Sequence, residues 1–260
     1  MTSRIEVVIA ARDMDGTLAL AVQSALSQSA CRHVIIVDDP SSDGTGDEAE
    51  RLARAHPQRV RRPPLTANAG PGHARNQGAA QSDADYLAFL DGDDAYERQA
   101  LDLAQRVLDD LPQLDLVRLA MKPMGPLDAY IEHADFPAAW RHFEFTAPNL
   151  VIRRHVFEIA GGFPEDAVFR RFGGEDGAFS LALTQEVQTG TLFDQPGIVY
   201  TFRETSPTAF LLRSHLYGEL RPGLAEALPQ AQAVTETLRG RLRGLGRTAA
   251  IVPILVEWDG

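Results

Sequence analysis

Three carboxylates lie close together directly after a short apolar segment near the middle of the chain. The segment from Tyr86 to Leu90 is aromatic and apolar, which predicts a buried strand of ordinary length. Asp91, Asp93 and Asp94 follow it. Carboxylates this close repel one another unless a cation lies between them, and their hard oxygen atoms suit Mg²⁺ or Mn²⁺ held with a phosphate group. The pattern indicates a metal and diphosphate site or, alternatively, an ordinary polar turn.

A second acidic pair follows another apolar segment earlier in the chain. Asp38 and Asp39 come directly after His33 to Val37, which also predicts a buried strand. Ligands of an open α/β sheet bind at the carboxyl ends of its strands, so both acidic groups are expected at one edge. A nucleotide lying there would present ring N–H groups and ribose hydroxyls to this pair, and its diphosphate would reach the metal.

A glycine-rich segment, Asn68 to Gly78, lies between the two acidic groups in the sequence. It predicts a loop that runs into a helix of small residues, and its Arg75 could pair with a phosphate group. Because loops need glycine in any case, this segment by itself is weak support for a nucleotide site.

A further acidic pair, Glu175 and Asp176, follows two glycines late in the chain. At the start of a predicted helix such residues favour the helix dipole, which is the simpler interpretation. The alternative is a general base, a carboxylate that takes the proton from an attacking hydroxyl group.

The elements that must position these residues alternate between strand and helix as far as Leu119. Short connections between them predict an α/β fold with a mostly parallel sheet, helices on both faces and right-handed crossovers. From Met121 to Thr146 the pattern dissolves, which suggests an insertion or a partly antiparallel region. We therefore divide the chain into an α/β half with the expected nucleotide site (1–120), a less regular part (121–206) and a C-terminal helical extension (207–260).

Composition narrows the class of protein further. The chain has 260 residues, is 44% hydrophobic and carries a net charge of −11, which argues against a nucleic-acid binder. No apolar segment approaches the ~20 residues of a membrane span. The first residues enter a predicted strand without the apolar segment of a signal peptide, so we expect a cytoplasmic protein. Cys31 is the single cysteine, which excludes an intramolecular disulfide.

The order of these motifs resembles the family 2 glycosyltransferases, which are inverting enzymes with the GT-A fold. The likeness spans residues 5–206, and Asn68 to Gly78 matches every fixed position of its family segment. The segments that carry the resemblance are Ile9–Asp13, Val37–Thr45, Asn68–Gly78, Leu90–Asp94, Gly161–Phe163 and Gly174–Asp176.

The resemblance implies a nucleotide-diphosphate sugar donor, by preference a UDP-sugar, and a role in cell-envelope polysaccharide synthesis. Asp93 and Asp94 would ligate Mn²⁺ or Mg²⁺, Asp176 would deprotonate the acceptor hydroxyl, and Glu175 would position the acceptor or that base. The residues expected to bind the nucleotide are Ala10, Arg12, Asp38, Asp39, Asn68, Gly70, Arg75 and Asp91.

The resemblance implies that 121–206 is the acceptor-side, catalytic half of the same domain, and it defines this half less closely. Trp140 and Arg203 are expected to contact the acceptor or the diphosphate, and the acceptor itself is a carbohydrate, a lipid-linked compound or a small molecule. Thr205 stands where the family commonly has a His that helps to bind the metal or the diphosphate. The third protein ligand of the metal therefore has no assigned residue.

Two other functions stay open. A GT-A-fold protein could bind the nucleotide sugar without turnover, an interpretation that the missing His favours. Asp13 and Asp15, followed by Gly-Thr-Leu, also resemble the nucleophile motif of haloacid-dehalogenase-like phosphatases, with Lys122 as their lysine.

The C-terminal segment is rich in arginine and ends in an apolar stretch, Ile251 to Val256. It could dock on an anionic membrane surface or on a second subunit to form a homodimer. We favour instead a helix packed on the core with its arginines in solvent, because Gly240, Gly244 and Gly246 weaken a long amphipathic helix.

Overall fold

The central strand of the protein follows from a sequence that is apolar except for Glu6. In the computed structural model, which describes residues 4–65 and 68–255, all seven residues of this first strand are buried. The strands are β1 (Ile5–Ala11), β2 (Cys31–Asp38), β3 (Val60–Arg61), β4 (Tyr86–Asp91), β5 (Ala95–Tyr96), β6 (Leu116–Leu119), β7 (Met121–Met124), β8 (Leu150–Arg153), β9 (Gln188–Leu192), β10 (Ile198–Thr201) and β11 (Ala250–Pro253).

Helices follow most of the strands, as the alternation in the sequence predicts. They are α1 (Leu18–Leu26), α2 (Thr45–Ala55), α3 (Pro71–Ala80), α4 (Ala100–Asp110), α5 (Asp128–Ile131), α6 (Phe136–Thr146), α7 (Arg154–Ala160), α8 (Ala167–Phe172), α9 (Glu175–Glu186), α10 (Pro207–Tyr217) and α11 (Leu224–Arg243).

The main sheet has eight strands in the order β11-β9-β6-β8-β4-β1-β2-β3. Only β8 among them runs antiparallel to its neighbours β4 and β6. Two large apolar clusters, one on each face of the sheet, form the core. The prediction of a mostly parallel sheet covered on both faces is therefore confirmed.

The register of the central strands brings their carboxyl ends to one edge. Ala10 of β1 lies opposite Asp91 of β4, and Ala11 lies opposite Asp38 of β2. The two acidic groups that the sequence placed after separate strands thus share one edge of the sheet, as predicted.

A smaller sheet stands beside this edge and was not expected. Its strand order is β5-β10-β7, with β10 parallel to β7 and antiparallel to β5. The sheet joins the turn after β4 to two segments of the acceptor-side half of the chain, and it forms a wall next to the carboxyl ends.

The region 121–146, which showed no pattern in the sequence, is ordered by β7 and α6. The buried face of α6 consists of Ala139, Trp140, Phe143 and Glu144. Glu144 obscures the apolar stripe because it is charged, yet its carboxylate accepts a 3.0 Å hydrogen bond from the backbone N–H of Met121. A buried polar partner of this kind is visible only in the tertiary structure.

The C-terminal segment differs from the prediction of a wholly helical extension. The helix α11 runs for 20 residues despite Pro229 and Gly240, and it packs against α9 and α7. After it, β11 pairs in parallel with β9 and becomes an edge strand of the main sheet. Packing of one helix face onto the core outweighs the weak helix propensity of these residues. Val256 lies outside the described residues.

The arginines of this segment contact other parts of the protein, while Arg241 and Arg243 stay exposed to solvent. Arg239 and Arg243 both pair with Glu186, and Arg241 donates to the carbonyl oxygen of Ala160. Nothing in these contacts supports the alternative that the segment docks on a membrane or a second subunit. No helix within the described residues combines the length and apolarity that crossing a bilayer requires.

The close approach of α3 to the sheet gives a test of this packing. A Cβ atom at Gly78 would lie 2.4 Å from Cγ1 of Val8 and 3.1 Å from Cγ2 of Val37. We expect Gly78→Ala to lower the free energy of unfolding by about 1–3 kcal/mol, measured by urea denaturation. Gly240→Ala is the control, because a Cβ there meets no described atom within 4 Å outside its helix and should stabilise by about 0.5–1 kcal/mol. An unchanged urea midpoint for Gly78→Ala would contradict the contact.

Candidate active site

A cleft of about 430 Å³ opens at the carboxyl edge of the central strands. Its walls come from the ends of β1 and β4, the start of α3, the start of α9 and the segment after β10. The predicted site residues that line it are Ala10, Arg12, Asp39, Arg75, Asp91, Asp93, Asp94, Glu175, Asp176 and Arg203. The predicted residues outside its lining are Asp38, Asn68, Gly70 and Trp140.

Arg75 connects two acidic groups that are far apart in the sequence. Its side chain is buried, and its Nη2 donates to Asp91 Oδ1 at 2.7 Å while its Nη1 donates to Glu175 Oε1 at 2.9 Å. The guanidinium carbon also lies 5.2 Å from the ring centroid of Phe163. Burial by itself lowers the pKa of Arg75, but the carboxylates of Asp91, Glu175 and Asp176 outweigh it and raise that pKa.

This geometry changes the role predicted for Arg75. Both terminal nitrogens already donate to carboxylates, and Nε is buried without a hydrogen-bond partner among the described residues. Arg75 therefore holds Asp91 and Glu175 in place instead of presenting a free guanidinium to a phosphate. Arg12 is exposed on the cleft wall and is held less tightly than Arg75. Its Nε lies 3.7 Å from Oδ2 of Asp13.

Asp39 fixes the glycine-rich loop that begins α3. Its two carboxylate oxygens accept hydrogen bonds of 3.0 Å from the backbone N–H groups of Ala69 and Gly70. Gly70 has φ of 94°, a conformation that favours glycine, and a Cβ at Gly72 would lie 3.0 Å from Cγ of Glu175. The glycines therefore let the loop turn and approach the acidic pair closely.

Asp38 does not face the cleft, which corrects the expectation that both acids of the first pair hold the nucleotide. Its Oδ1 accepts from the Ser41 hydroxyl at 2.6 Å, and its Oδ2 lies 3.8 Å from Nη2 of Arg62. Successive side chains along a strand point to opposite faces, so only Asp39 of the pair reaches the cleft. Asn68 is exposed and also lies outside the cleft lining.

The three carboxylates after β4 do not converge on one point. Asp91 faces Arg75, Asp93 pairs with Arg203, and Asp94 is buried, where its Oδ1 accepts from the backbone N–H of Thr201 at 2.8 Å. Burial, followed by the charge of Asp91, raises the pKa of Asp94 well above its usual range. Asp94 therefore joins the two sheets and is poorly placed as a metal ligand.

Within the described ranges, no three His, Cys, Asp or Glu side chains come together as a metal-binding cluster. A divalent cation such as Mg²⁺ commonly uses one or two carboxylates and completes its shell with substrate phosphates and water. Asp93 and Asp94 both line the cleft. Asp93 fits the smaller donor set, whereas Asp94 fits it poorly because its Oδ1 already accepts a hydrogen bond from Thr201.

Arg203 and Thr205 line the cleft on the segment that follows β10. The guanidinium of Arg203 pairs with the carboxylate of Asp93 across the cleft, with 45% of the side chain exposed. Thr205 is exposed beside it. This segment thus brings the positive charge of Arg203 to Asp93, two residues before the position where the family commonly has a His.

Asp176 lines the cleft from the first turn of α9. The chain enters α9 through Gly173 and Gly174, with φ of 75° and 89°, and the helix begins at Glu175. Desolvation, reinforced by the charge of Glu175, raises the pKa of Asp176 to about 7 despite the opposing charge of Arg75. A carboxyl group with this pKa can exchange a proton near neutral pH.

Trp140 packs in the core, which corrects its assignment as an acceptor contact. Its Nε1 donates to the carbonyl oxygen of Met121 at 2.8 Å, and its ring lies against Phe136, Phe143 and Tyr200. The sequence missed Tyr200 and Asn149, which line the cleft. No local motif marks either residue, because strands from the second half of the chain bring them to the cleft.

The comparison with known families decides the class of protein. The model of glycosyl transferase family 2 matches residues 6–163, which is more than half of the chain. The chain belongs to this family. The resemblance inferred from the motif order is therefore confirmed, and so is the GT-A-type α/β fold.

Individual relatives agree with this assignment. The succinoglycan biosynthesis protein ExoO of Rhizobium meliloti is 34% identical over 146 residues, which span 48% of this chain and 41% of that protein. The structure of S. aureus TarS 1-349 with UDP-GlcNAc has a TM-score of 0.66 at 19% identity and covers 89% of this chain and 66% of that one. The mannosyltransferase PcManGT of Pyrobaculum calidifontis, in complex with GDP-Man and Mn²⁺, has a TM-score of 0.61 at 20% identity, covering 94% and 75%.

The alternative of a haloacid-dehalogenase-like phosphatase is wrong. Asp13 Oδ1 accepts hydrogen bonds from the backbone N–H and the hydroxyl of Ser42, and neither Asp13 nor Asp15 lines the cleft. These two acids connect the loop after β1 to the loop after β2.

Removing the central arginine tests its structural role. Arg75→Met would leave the carboxylates of Asp91 and Glu175 without a counter-charge, so we expect a loss of about 3–5 kcal/mol in the free energy of unfolding. The measurement is urea denaturation followed by circular dichroism. Arg54→Met, which removes an exposed pair with Glu50, should leave the midpoint unchanged. Equal midpoints for both variants would show that Arg75 does not hold the site together.

Proposed function

We propose that this protein transfers a sugar from a nucleotide-diphosphate donor, first among them a UDP-sugar, to an acceptor hydroxyl with inversion at the anomeric carbon. The observation that carries the proposal is the arrangement across one cleft of Asp93, at the end of β4, and Asp176, whose pKa is about 7. Arg75 connects the two sides, because it binds the neighbours Asp91 and Glu175 at the same time.

The donor is assigned to the cleft wall formed by β1 and the glycine-rich loop. We assign Ala10, Arg12 and Asp39, which line this cleft, to the base and ribose, and Asp91 to the ribose. Gly70 contributes through the loop that Asp39 holds. The similar structures are complexes with UDP-GlcNAc and GDP-Man, which supports a nucleotide-sugar donor of this type.

A divalent cation, Mn²⁺ or Mg²⁺, would be held by Asp93 together with the diphosphate of the donor. The cation supplies positive charge that stabilises the departing nucleoside diphosphate. The presence of Mn²⁺ in the similar mannosyltransferase supports this part of the proposal. Arg203, now paired with Asp93, is close enough to share the neutralisation of the diphosphate.

Asp176 is assigned as the general base. Its ionised carboxylate takes the proton of the acceptor hydroxyl while that oxygen attacks the anomeric carbon and the nucleoside diphosphate leaves from the opposite face. Glu175 acts as a positioning residue, because its carboxylate is bound to Arg75 and fixes the first turn of α9. Because Glu175 and Asp176 share this first turn, the contact with Arg75 also fixes the position of Asp176 relative to the donor site.

The acceptor is proposed to be a carbohydrate, a lipid-linked compound or a small molecule in polysaccharide synthesis. The relative named for succinoglycan biosynthesis supports this setting. A homodimer and a membrane contact have no supporting contact in the described part of the chain.

One observation favours a second function, a donor-binding protein without turnover. Arg203 neutralises Asp93, and Thr205 replaces the common His, so the acidic turn carries less free negative charge than the motif alone suggests. Such a protein would bind a nucleotide without releasing sugar from it.

Calorimetric titration of UDP, GDP and dTDP, in Mn²⁺ and in EDTA, tests the donor site. We expect one nucleotide, by preference UDP, to bind at least about tenfold more tightly with Mn²⁺, since a cation joins Asp93 to the diphosphate. Asp93→Ala should abolish the metal effect, and the exposed Asp83→Ala should keep it. No nucleotide binding in any condition would refute the proposal.

The pH dependence of donor turnover tests Asp176. Because its pKa is raised to about 7 and the ionised form is the base, the rate should fall about tenfold per pH unit below 7 and level off above it. The assay is UDP release from the best-bound UDP-sugar with water as acceptor. Asp176→Asn should lower the rate by roughly 10²–10⁴ and remove the dependence while UDP affinity is retained. An Asp176→Asn protein of normal activity rules out this base, and nucleotide binding with no turnover in either protein favours the second function.

A further inference from the structure

Two arginines flank an aromatic ring at the rim of the cleft on its acceptor side. We call Arg171, Phe172 and Arg221 the arginine rim. Phe172 is the last residue of α8, and the next two residues, Gly173 and Gly174, line the cleft immediately before Asp176. Since Asp176 is the fifth residue after Arg171, their Cα atoms are at most roughly 18 Å apart.

The geometry of the rim brings two positive charges together. The guanidinium carbons of Arg171 and Arg221 lie 4.9 and 5.4 Å from the ring centroid of Phe172. Arg221 Nη1 donates to the carbonyl oxygen of Phe172 at 2.6 Å, and its Nη2 donates to that of Arg171 at 3.4 Å. A Cβ built at Gly223, two residues after Arg221, would lie 3.7 Å from Arg171 Nη2. Both cations are thus held by neutral groups.

Within the described part of the chain, neither arginine of the rim has a carboxylate partner, although the net charge is −11. Exposed arginines elsewhere, such as Arg54 and Arg154, pair with a glutamate on their own helix. Among the described residues, Arg171 and Arg221 form no ion pair. Like charges placed side by side disfavour each other unless an anion joins them, and a guanidinium offers five N–H donors for that purpose.

Packing ties the rim to the helix that carries Asp176. A small apolar cluster joins α8, α9 and α11 through Val168, Phe169 and Ala178, with Phe172 and Val234 against it. The rim and the first turn of α9 are therefore fixed relative to each other. A ligand that bridges them would present its reacting hydroxyl in a constant position.

We propose that the arginine rim binds an anionic group, a phosphate or a carboxylate, on the acceptor glycan, close to the hydroxyl that Asp176 deprotonates. The inference rests on the proposed transferase function and names the chemical class of its acceptor. Guanidinium groups bind both anions through paired hydrogen bonds. The rim also gives an anionic acceptor a local attraction on a protein whose overall charge repels it.

The test compares matched neutral and anionic saccharides in direct binding, with and without saturating UDP and Mn²⁺. The probes are tetragalacturonate against its methyl ester, and glucose 6-phosphate against glucose. We expect at least one anionic probe to bind about tenfold more tightly than its neutral partner, the gain of a charge-assisted hydrogen bond. The advantage should shrink as salt is added. A larger advantage in the galacturonate pair indicates a carboxylate as the preferred anion, and a larger advantage in the glucose pair indicates a phosphate.

The variant Arg171→Gln/Arg221→Gln should lose this advantage and keep its UDP affinity. The control Arg51→Gln/Arg54→Gln removes the same charge from α2 and should retain it. Arg221→Lys keeps the charge and should retain part of the preference, whereas a role in packing alone predicts no difference between neutral and anionic probes in any variant. Circular dichroism confirms that each variant is folded.

Three outcomes would overturn the inference. Equal binding of neutral and anionic probes by the wild type is one, and equal loss in the α2 control is another. The third is binding to phosphatidylglycerol vesicles without selectivity for any anionic saccharide, which would make the rim a membrane contact. Absence of UDP binding, measured separately, would refute the transferase proposal. The saccharide measurement would then show only whether the rim binds anions.

Discussion

The ion pairs of Arg75 are the interaction on which the cleft depends. They join Asp91, 16 residues away, to Glu175, 100 residues away, and so connect the two halves of the chain at one point. A buried arginine between two carboxylates is stable only while both partners are present. Because Glu175 begins α9, the same contact fixes Asp176, and the position of the proposed base follows from the position of the donor edge.

The charges around this point fit the proposed binding of a nucleotide sugar and an anionic acceptor by an acidic protein. Arg75 and Arg203 neutralise the carboxylates of the cleft, and Asp94, with its raised pKa, is turned inward toward Thr201. The cleft is therefore much less negative than its sequence of aspartates implies. The arginine rim then adds positive charge on the acceptor side, where the chain provides no compensating carboxylate among the described residues.

Much of the fold could be predicted because its central strands are mostly apolar and the loops after them contain turn residues. Ile5 to Ala11 and Tyr86 to Leu90 are buried on both faces, so their sequences contain an unambiguous signal. The helix α6 could not be predicted, since Glu144 interrupts its apolar stripe and is satisfied only by a distant backbone N–H. The strand β11 needed β9 as a partner, and pairing over that distance in the chain leaves no local pattern.

By itself, the sequence determined which residue types the cleft contains and, through their order, the family to which the chain belongs. Only the tertiary structure decided their roles. It turned Asp39 toward the glycine loop and Asp38 away from the cleft, and it placed Trp140 in the core. The physical reason is that a motif fixes neighbours along the chain, whereas the partner that satisfies a buried charge or hydrogen bond comes from whichever element packs against it.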